Sequence, residues 1–285
     1  MIGNKATPIE IYLANFDDNS RKVTIRCIDQ NSSKYWHQDI NISANSEERT
    51  PLYIPPSIDR GDHNFYIEFF ENNEKIHSDN VTLYVLDEDH VLFQVHDIGH
   101  DWYFNSYEAI GCWITPDEPS IKKWIDSSFD STSQKHNIRE DVKSLWGHLK
   151  SLNFSYVATS YSIGENKRNH YQKINIPKNT LTSRNGNCID LSVLFASAME
   201  AIGYDPIICL VSNPDPHAFL GWENEERKLE FLETTVIDDK TFEEAMDFGK
   251  YQYEIHRHKF NEIYTDTYKL LKISDIRKKK YFPIF

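Results

Sequence analysis

The sequence predicts an α+β protein: an antiparallel β-sandwich, then a domain in which helices pack on an antiparallel sheet. Three observations point there. Residues up to about His96 form short alternating runs divided by polar turns. After Pro119 the apolar spacing becomes helical. From Pro206 to Val236, three extended runs follow a helix that starts with a cysteine.

The first part reads strand by strand. Pro8 to Asn15, Lys22 to Cys27, Arg49 to Ile54, Asn64 to Phe70 and Val81 to Val85 alternate apolar and polar residues, the period of a half-buried strand. Polar breaks separate them, and Glu71-Asn-Asn-Glu74 has the composition of a hairpin turn. The spacing argues an immunoglobulin-like sandwich over residues 1–98. None of its residues has catalytic spacing, so a binding or spacer role is expected, with a possible protein partner. Arg60-Gly61-Asp62 is read as an ordinary turn.

The second part, residues 99–285, begins near Gly99-His100-Asp101. Ser120 to Phe129 is predicted helical, with Ile121, Trp124, Ile125 and Phe129 on one face behind Pro119. Asp141 to Leu152 is a second helix, built on Val142, Leu145, Trp146 and Leu149. Tyr156 to Asn169 is polar and is expected as a loop bordering a cleft. Thr241 to Phe248 reads as a short helix capped by Gly249. Lys250 to Lys259 alternates and is expected to be extended, as is Tyr268 to Ile273. The apolar end, Tyr281-Phe-Pro-Ile-Phe285, is expected to pack back.

With 39% hydrophobic and 26% charged residues and no apolar run of membrane length, a soluble protein without a membrane partner is expected. A net charge of −13 disfavours binding nucleic acid through its phosphates. The one basic run, Arg277 to Lys280, is read as the solvated end of the last helix. Met1 to Glu10 lacks a signal-peptide pattern, and the four cysteines (Cys27, Cys112, Cys188 and Cys209) form no CxxC pair. Free thiols in the cytoplasm are the simplest reading. His96 and His100 with Asp97 and Asp101, and the pair His256 and His258, fall short of a metal-ligand pattern. No metal or other cofactor is expected.

Chemistry concentrates between Thr180 and Thr235. Leu191, Leu194, Phe195, Ala198 and Ile202 share a helical face, Gly203 suits the position after the helix, and Pro206 stops any continuation. A helix from about Cys188 to Ile202 results, with Gly186-Asn187 turning the chain into it. A thiol at a helix start feels the positive end of the dipole and unpaired N–H groups, which favour the reactive thiolate. Pro206 to Val211 is a strand. His217 to Glu223 and Lys228 to Val236 form a hairpin about Asn224-Glu225-Glu226. Centred on Glu225, that turn sets His217 opposite Glu233, Phe219 opposite Phe231 and Gly221 opposite Leu229. The loop has no glycine, so another register stays open. Cysteine, histidine and carboxylate then suit nucleophilic acyl chemistry, with Cys188 as nucleophile, His217 moving the proton and Glu233 orienting the imidazole. Taken singly, Cys188 could be a core thiol and His217 a structural histidine. The N–H of Cys188 is a candidate oxyanion donor.

Gly186-x-Cys188-x-Asp190-Leu-x-x-Leu194-x-Ala196, His217-Ala-Phe and Glu233-Thr-Thr together resemble the transglutaminase-like (papain-like fold) cysteine protease and acyltransferase superfamily, in its bacterial module type. The resemblance covers about Asp101 to Phe285, with Ala109 to Pro116, Gln172 to Pro177 and Asp275 to Arg277 as further matching segments. Many relatives have Asp where this chain has Glu233. The resemblance implies a papain-fold catalytic domain, a protein or peptide substrate, and Gln172 as a second oxyanion donor. It is compatible with thiol-protease hydrolysis, with amine-transferring crosslinking, and with a non-catalytic scaffold module of a larger bacterial system, including a defence system. The acidic surface and the attached sandwich lean toward hydrolysis.

Overall fold

The computed structural model describes residues 9–52, 61–85, 89–97, 102–129, 137–158, 169–211, 216–260 and 268–283. The architecture is mixed α and β with several antiparallel sheets. Contacts divide the chain into two units, Met1–Glu88 and Asp89–Phe285.

Among the described residues the first unit has six strands: β1 (Ile9–Asn15), β2 (Arg21–Asp29), β3 (Tyr35–Ile42), β4 (Ser46–Leu52), β5 (Gly61–Glu71) and β6 (Glu74–Val85). β1 pairs with β4, and β3-β2-β5-β6 form a second antiparallel sheet. Ile11 and Leu52 from one sheet join Val23, Ile25, Cys27, Ile40, Phe65 and Ile67 from the other in a single core. The anticipated strands are present where they are described, Pro8, Tyr53 and Ile54 lying outside the described residues, and β3 is an addition. It is an edge strand whose fully buried residues are only Ile40 and Ile42, at its end. Asn72 (φ 49°) and Asn73 (φ 67°) form the turn between β5 and β6. Two left-handed residues match the twist of the flanking strands, which explains the pair of asparagines. Gly61 and Asp62 open β5, while Arg60 lies outside the described residues.

The second unit starts one strand earlier than the sandwich reading allowed. β7 (His90–Asp97) pairs with β8 (Trp102–Asn105) and with β10 (Asn169–Lys173), in the order β10-β7-β8. Alternation around Val91 and Phe93 identifies a strand but not the sheet it joins. A 3-10 turn (Tyr107–Trp113), α1 (Pro119–Ser128), α2 (Ile138–Ser151), β9 (Ser155–Tyr156), α3 (Pro177–Ser183), β11 (Asn185–Gly186) and α4 (Cys188–Ala201) complete the first half. α1 and α2 begin at capping side chains, Glu118 accepting from the Ser120 N–H and Asn137 from that of Glu140. Residues 159–168, the larger part of the expected cleft loop, lie outside the described residues.

The second half contains β12 (Pro206–Val211), β13 (His217–Glu223), β14 (Leu229–Leu232), α5 (Phe242–Phe260), β15 (Tyr268–Lys272) and α6 (Ile273–Lys278). The sheet order is β14-β13-β12-β15, antiparallel throughout. Ile189 to Met199 of α4 is buried at every position, as expected of a helix with layers on all sides. One face of the sheet meets α4 through Ile208, Ala218, Leu220, Trp222 and Leu232. The other face, through Cys209, Phe219 and Phe231, packs under Tyr253 and Phe260 of α5.

That second layer corrects a prediction. Lys250 to Lys259 is helical, not extended, and Gly249 lies inside α5 rather than capping it. A Cβ on Gly249 would sit 2.7 Å from the backbone of Phe231 and Leu232. Glycine is there so that the helix can lie against β14, and a packing glycine reads in sequence like a stop. His256 and His258 therefore lie two apart on a helix, where their side chains diverge.

Arg277 also departs from its reading as a solvated end. Its Nε and Nη2 donate to the two carboxylate oxygens of Glu200 at 2.8 and 2.7 Å. Nη1 and Nη2 donate further to the carbonyls of Gly111 (2.8 Å), Tyr281 (2.8 Å) and Ile114 (2.9 Å). Its guanidinium joins α6, the end of α4, the 3-10 turn and the C-terminal segment. Tyr281 packs on the main core, whereas Phe282 is exposed. No described helix is long and apolar enough to cross a membrane. Arg277→Ala leaves Glu200 and three carbonyls without their donor and should cost about 3 kcal/mol in urea unfolding. Arg277→Lys, which keeps the charge but not the fork, should fall between that variant and the wild type.

Candidate active site

Cys188 is the first residue of α4, and the chain enters it through a fully bonded turn. Asn187 is the cap: its Oδ1 accepts from the N–H groups of Ile189 (3.0 Å) and Asp190 (2.9 Å). Asp190 returns the bond, its Oδ2 accepting from the Asn187 N–H at 3.2 Å, which completes a capping box. The same carboxylate accepts from the backbone N–H (2.7 Å) and side-chain amide (3.0 Å) of Asn175. Burial pushes the Asp190 carboxyl up, while these hydrogen bonds pull it down. A Cβ on Gly186 would meet Asp190 Cβ at 2.9 Å, so the turn requires glycine. The Cys188 N–H makes no hydrogen bond among the described residues, and Ser192 Oγ donates to the Cys188 carbonyl at 2.7 Å.

All four cysteines are free, and Cys188 alone is not buried. Burial, with Asp29 nearby, pushes the Cys27 thiol up to about 12. Burial also raises Cys112 and drives Cys209 well above the thiol range. Those three are core side chains.

His217 opens β13 opposite Val211. Its Nε2–H donates to Glu233 Oε2 at 2.6 Å, and the Cys188 side chain lies near enough to act on the same ring. With Nε2 taken, Nδ1 is the nitrogen left for sulfur. Burial acts to lower the imidazole's pKa, but the neighbouring Cys188 and the hydrogen-bonded, charged Glu233 outweigh it and raise the value to about 10. Glu233 is 3% exposed. Its second oxygen accepts from the Thr235 N–H (3.0 Å) and Oγ1 (2.7 Å), and its own N–H donates to the Ala245 carbonyl at 3.0 Å.

The structure thus brings Cys188, His217 and Glu233 together, by a register other than the expected one. Gly221 faces Phe231, not Leu229, and Trp222 faces Glu230. The turn closes on Asn224, whose Oδ1 accepts from the N–H groups of Glu226 and Lys228, with Arg227 left-handed at φ 62°. Arg227 takes the position a glycine would favour. A slip of two residues keeps every side chain on its face. β14 ends at Leu232, and Glu233 instead caps a 3-10 turn (Thr234–Val236), from which its side chain meets His217.

Gln172 is half-buried on β10 opposite Val91. No described hydrogen bond joins it to Cys188 or His217. Its strand leads to Asn175, which Asp190 holds. Tyr156 opens the segment expected to border a cleft, but its own place in the site was not anticipated. β9 pairs in parallel with β11, setting Tyr156 beside Gly186, and the Val157 N–H donates to the Gly186 carbonyl at 3.0 Å. Burial raises the Tyr156 phenol, and the neighbouring Cys188 and Glu233 charges raise it further, so the ring borders the site. No local pattern signals a two-residue parallel pairing. The Asn187-x-x-Asp190 capping spacing, by contrast, was legible.

His100 and Asp101 lie outside the described residues. Among the described residues no group of three or more His, Cys, Asp or Glu side chains is arranged to hold a metal ion.

No family model matches the chain, and no curated protein sequence matches it. Among solved structures, a protein of Parabacteroides distasonis named "putative protease" aligns with 78% of this chain at 10% identity and a TM-score of 0.31. The alignment covers 59% of that protein's length. A likeness at that level carries no argument about fold or function.

The raised His217 value makes stability depend on pH with a defined sign. A proton held more tightly in the folded than in the unfolded chain stabilises fully below the unfolded value near 6.5, and that gain is lost as pH rises toward 10. Between pH 7 and 10 the wild type should lose at least about 1 kcal/mol more than Glu233→Gln, seen as ~2–4 °C in Tm. Parallel pH curves for the two proteins would remove His217 as the source.

Proposed function

We propose that the second unit, Asp89–Phe285, is a transglutaminase-like, papain-fold cysteine hydrolase acting on protein or peptide amides, with Cys188, His217 and Glu233 as its triad. The observation that carries the reading is one imidazole hydrogen-bonded at 2.6 Å to a buried carboxylate and close to a partly exposed thiol at a helix start. Deep burial of the other three cysteines supports a special role for Cys188.

In this reading the Cys188 sulfur, as thiolate, attacks the amide carbonyl carbon. The oxyanion meets the Cys188 N–H at the positive end of α4, and Gln172 is the candidate second donor. The C–N bond breaks as the His217 imidazolium gives its proton to the departing nitrogen, leaving a thioester. His217, now neutral, takes a proton from water. The resulting hydroxide adds to the thioester, the C–S bond breaks, and a carboxylate leaves. Glu233 keeps Nε2–H donating and stabilises the charged ring throughout. If an amine enters in place of water, the same thioester yields a crosslink. The immunoglobulin-like first unit is a binding module or spacer for a protein partner, and a reducing cytosol suits the free nucleophile.

Iodoacetamide separates an active site from an idle scaffold. Cys188 should alkylate at neutral pH at least about tenfold faster than a free cysteine, and faster than the buried thiols. His217→Ala and Glu233→Gln should both remove most of that advantage while keeping the wild-type far-UV spectrum. A Cys188 rate equal to that of free cysteine would leave only a binding role. In lysate containing a labelled primary amine, new fragments without label indicate hydrolysis, and Cys188-dependent incorporation indicates transfer.

A further inference from the structure

Asp190 has more partners than the start of a helix requires. It is 2% exposed, and both of its oxygens accept from N–H donors. Oδ2 accepts from the Asn187 N–H (3.2 Å) and the Asn175 side-chain amide (3.0 Å), and Oδ1 from the Asn175 N–H (2.7 Å). A capping box needs only the first of these bonds. The other two reach the segment after β10, in which the Ile174 N–H also donates to the Asp89 carbonyl at 2.6 Å.

The two attachments lead to the groups that the proposed chemistry assigns to the oxyanion. Asn187 directly precedes Cys188, whose N–H the cap leaves over. Gln172 lies on β10, three residues before Asn175. Charge gives Asp190 no place here. An acid in the first turn of α4 offsets the positive end of the dipole that favours the Cys188 thiolate. What the carboxylate supplies is geometry, and only a carboxylate supplies it. An amide in its place turns an NH₂ either toward the Asn175 N–H or toward the Asn187 N–H and the Asn175 amide. Asp190→Asn therefore keeps one attachment and loses the other, whichever way it flips.

We propose that Asp190 is a positioning residue for acyl transfer. It ties the Cys188 N–H and the strand carrying Gln172 into one frame, and so sets where the developing oxyanion is received, without helping to form the thiolate. This inference rests on the triad reading above.

Two reactions at the same sulfur separate those roles. Iodoacetamide is attacked at a saturated carbon: the S–C bond forms as iodide leaves, and no oxyanion develops. p-Nitrophenyl acetate is attacked at its carbonyl carbon: a tetrahedral oxyanion forms, p-nitrophenolate leaves and an acetyl thioester remains. Both are measured on the full chain, the second as the limiting rate of the p-nitrophenolate burst. Asp190→Asn should cut that limiting rate at least about tenfold, while the half-saturating ester concentration stays within about twofold and alkylation at neutral pH does not fall. Asn175→Ala, which keeps the cap and loses a single bond, should give a smaller loss of the same kind, and serves if Asp190→Asn does not fold. In a Gln172→Ala chain, Asp190→Asn should cost much less than in the wild type, because the frame then has one donor fewer to place. Wild-type burst rates in both variants, or burst and alkylation falling together, would overturn the inference and leave the triad standing. Equal losses with and without Gln172 would overturn the frame to which the inference assigns Asp190. A wild type in which Cys188 neither alkylates faster than free cysteine nor gives a burst would overturn the triad, and this inference with it.

Discussion

A helix buried on every side cannot leave its end groups to water, and α4 does not. Its start is closed by Asn187 and Asp190, and Asp190 also holds Asn175. At its other end, Tyr204 and Gly203 donate to the carbonyls of Met199 and Glu200, and Arg277 grips the Glu200 carboxylate. Neighbouring elements are fastened to those two ends as much as to the apolar sides between them. Cys188 owes its place to this constraint. It is the first residue of a helix that cannot shift without undoing bonds at both ends, and its own N–H is left over after the cap is satisfied.

The sheet side of the site has a different logic. His217 begins a strand and Glu233 follows one, so neither is held by ladder hydrogen bonds on both sides. Their positions come instead from Thr235 and Ala245 around Glu233, and from the α5 layer pressed against β14 where Gly249 permits it. A buried carboxylate without a cation would be costly. The imidazole beside it meets that need when protonated, and the raised His217 value follows. One interaction thus serves both the stability of the fold and the proposed chemistry.

The local parts of this arrangement were legible in the sequence. The helix after Cys188, strands β12 and β13, the paired asparagines of the β5–β6 turn, and the three residues now found together all followed from spacing, capping and turn composition. What was missed depends on tertiary contacts. β3 is an edge strand fully buried only at its end, β7 alternates correctly but joins the other unit, and Gly249 reads as a helix stop until the strand beneath it is known. The hairpin register was off by an even number, which is why the assignment of faces survived while the partners changed. Arg277 looked like surface charge because nothing near it in sequence announces Glu200 or the carbonyls it reaches. Tyr156 needed a parallel pairing across some thirty residues.

The central claim is that thiol, imidazole and carboxylate act as one coupled unit, with His217 holding its proton at neutral pH. Nitrogen-15 NMR of the His217 ring measures this directly, as a titration of the two ring nitrogens in the wild type and in Glu233→Gln. The account predicts a ring with both nitrogens protonated at pH 7.5, deprotonating near 10 in the wild type and at distinctly lower pH in the variant. A neutral ring at pH 7.5 that titrates near 6.5 in both proteins would contradict it.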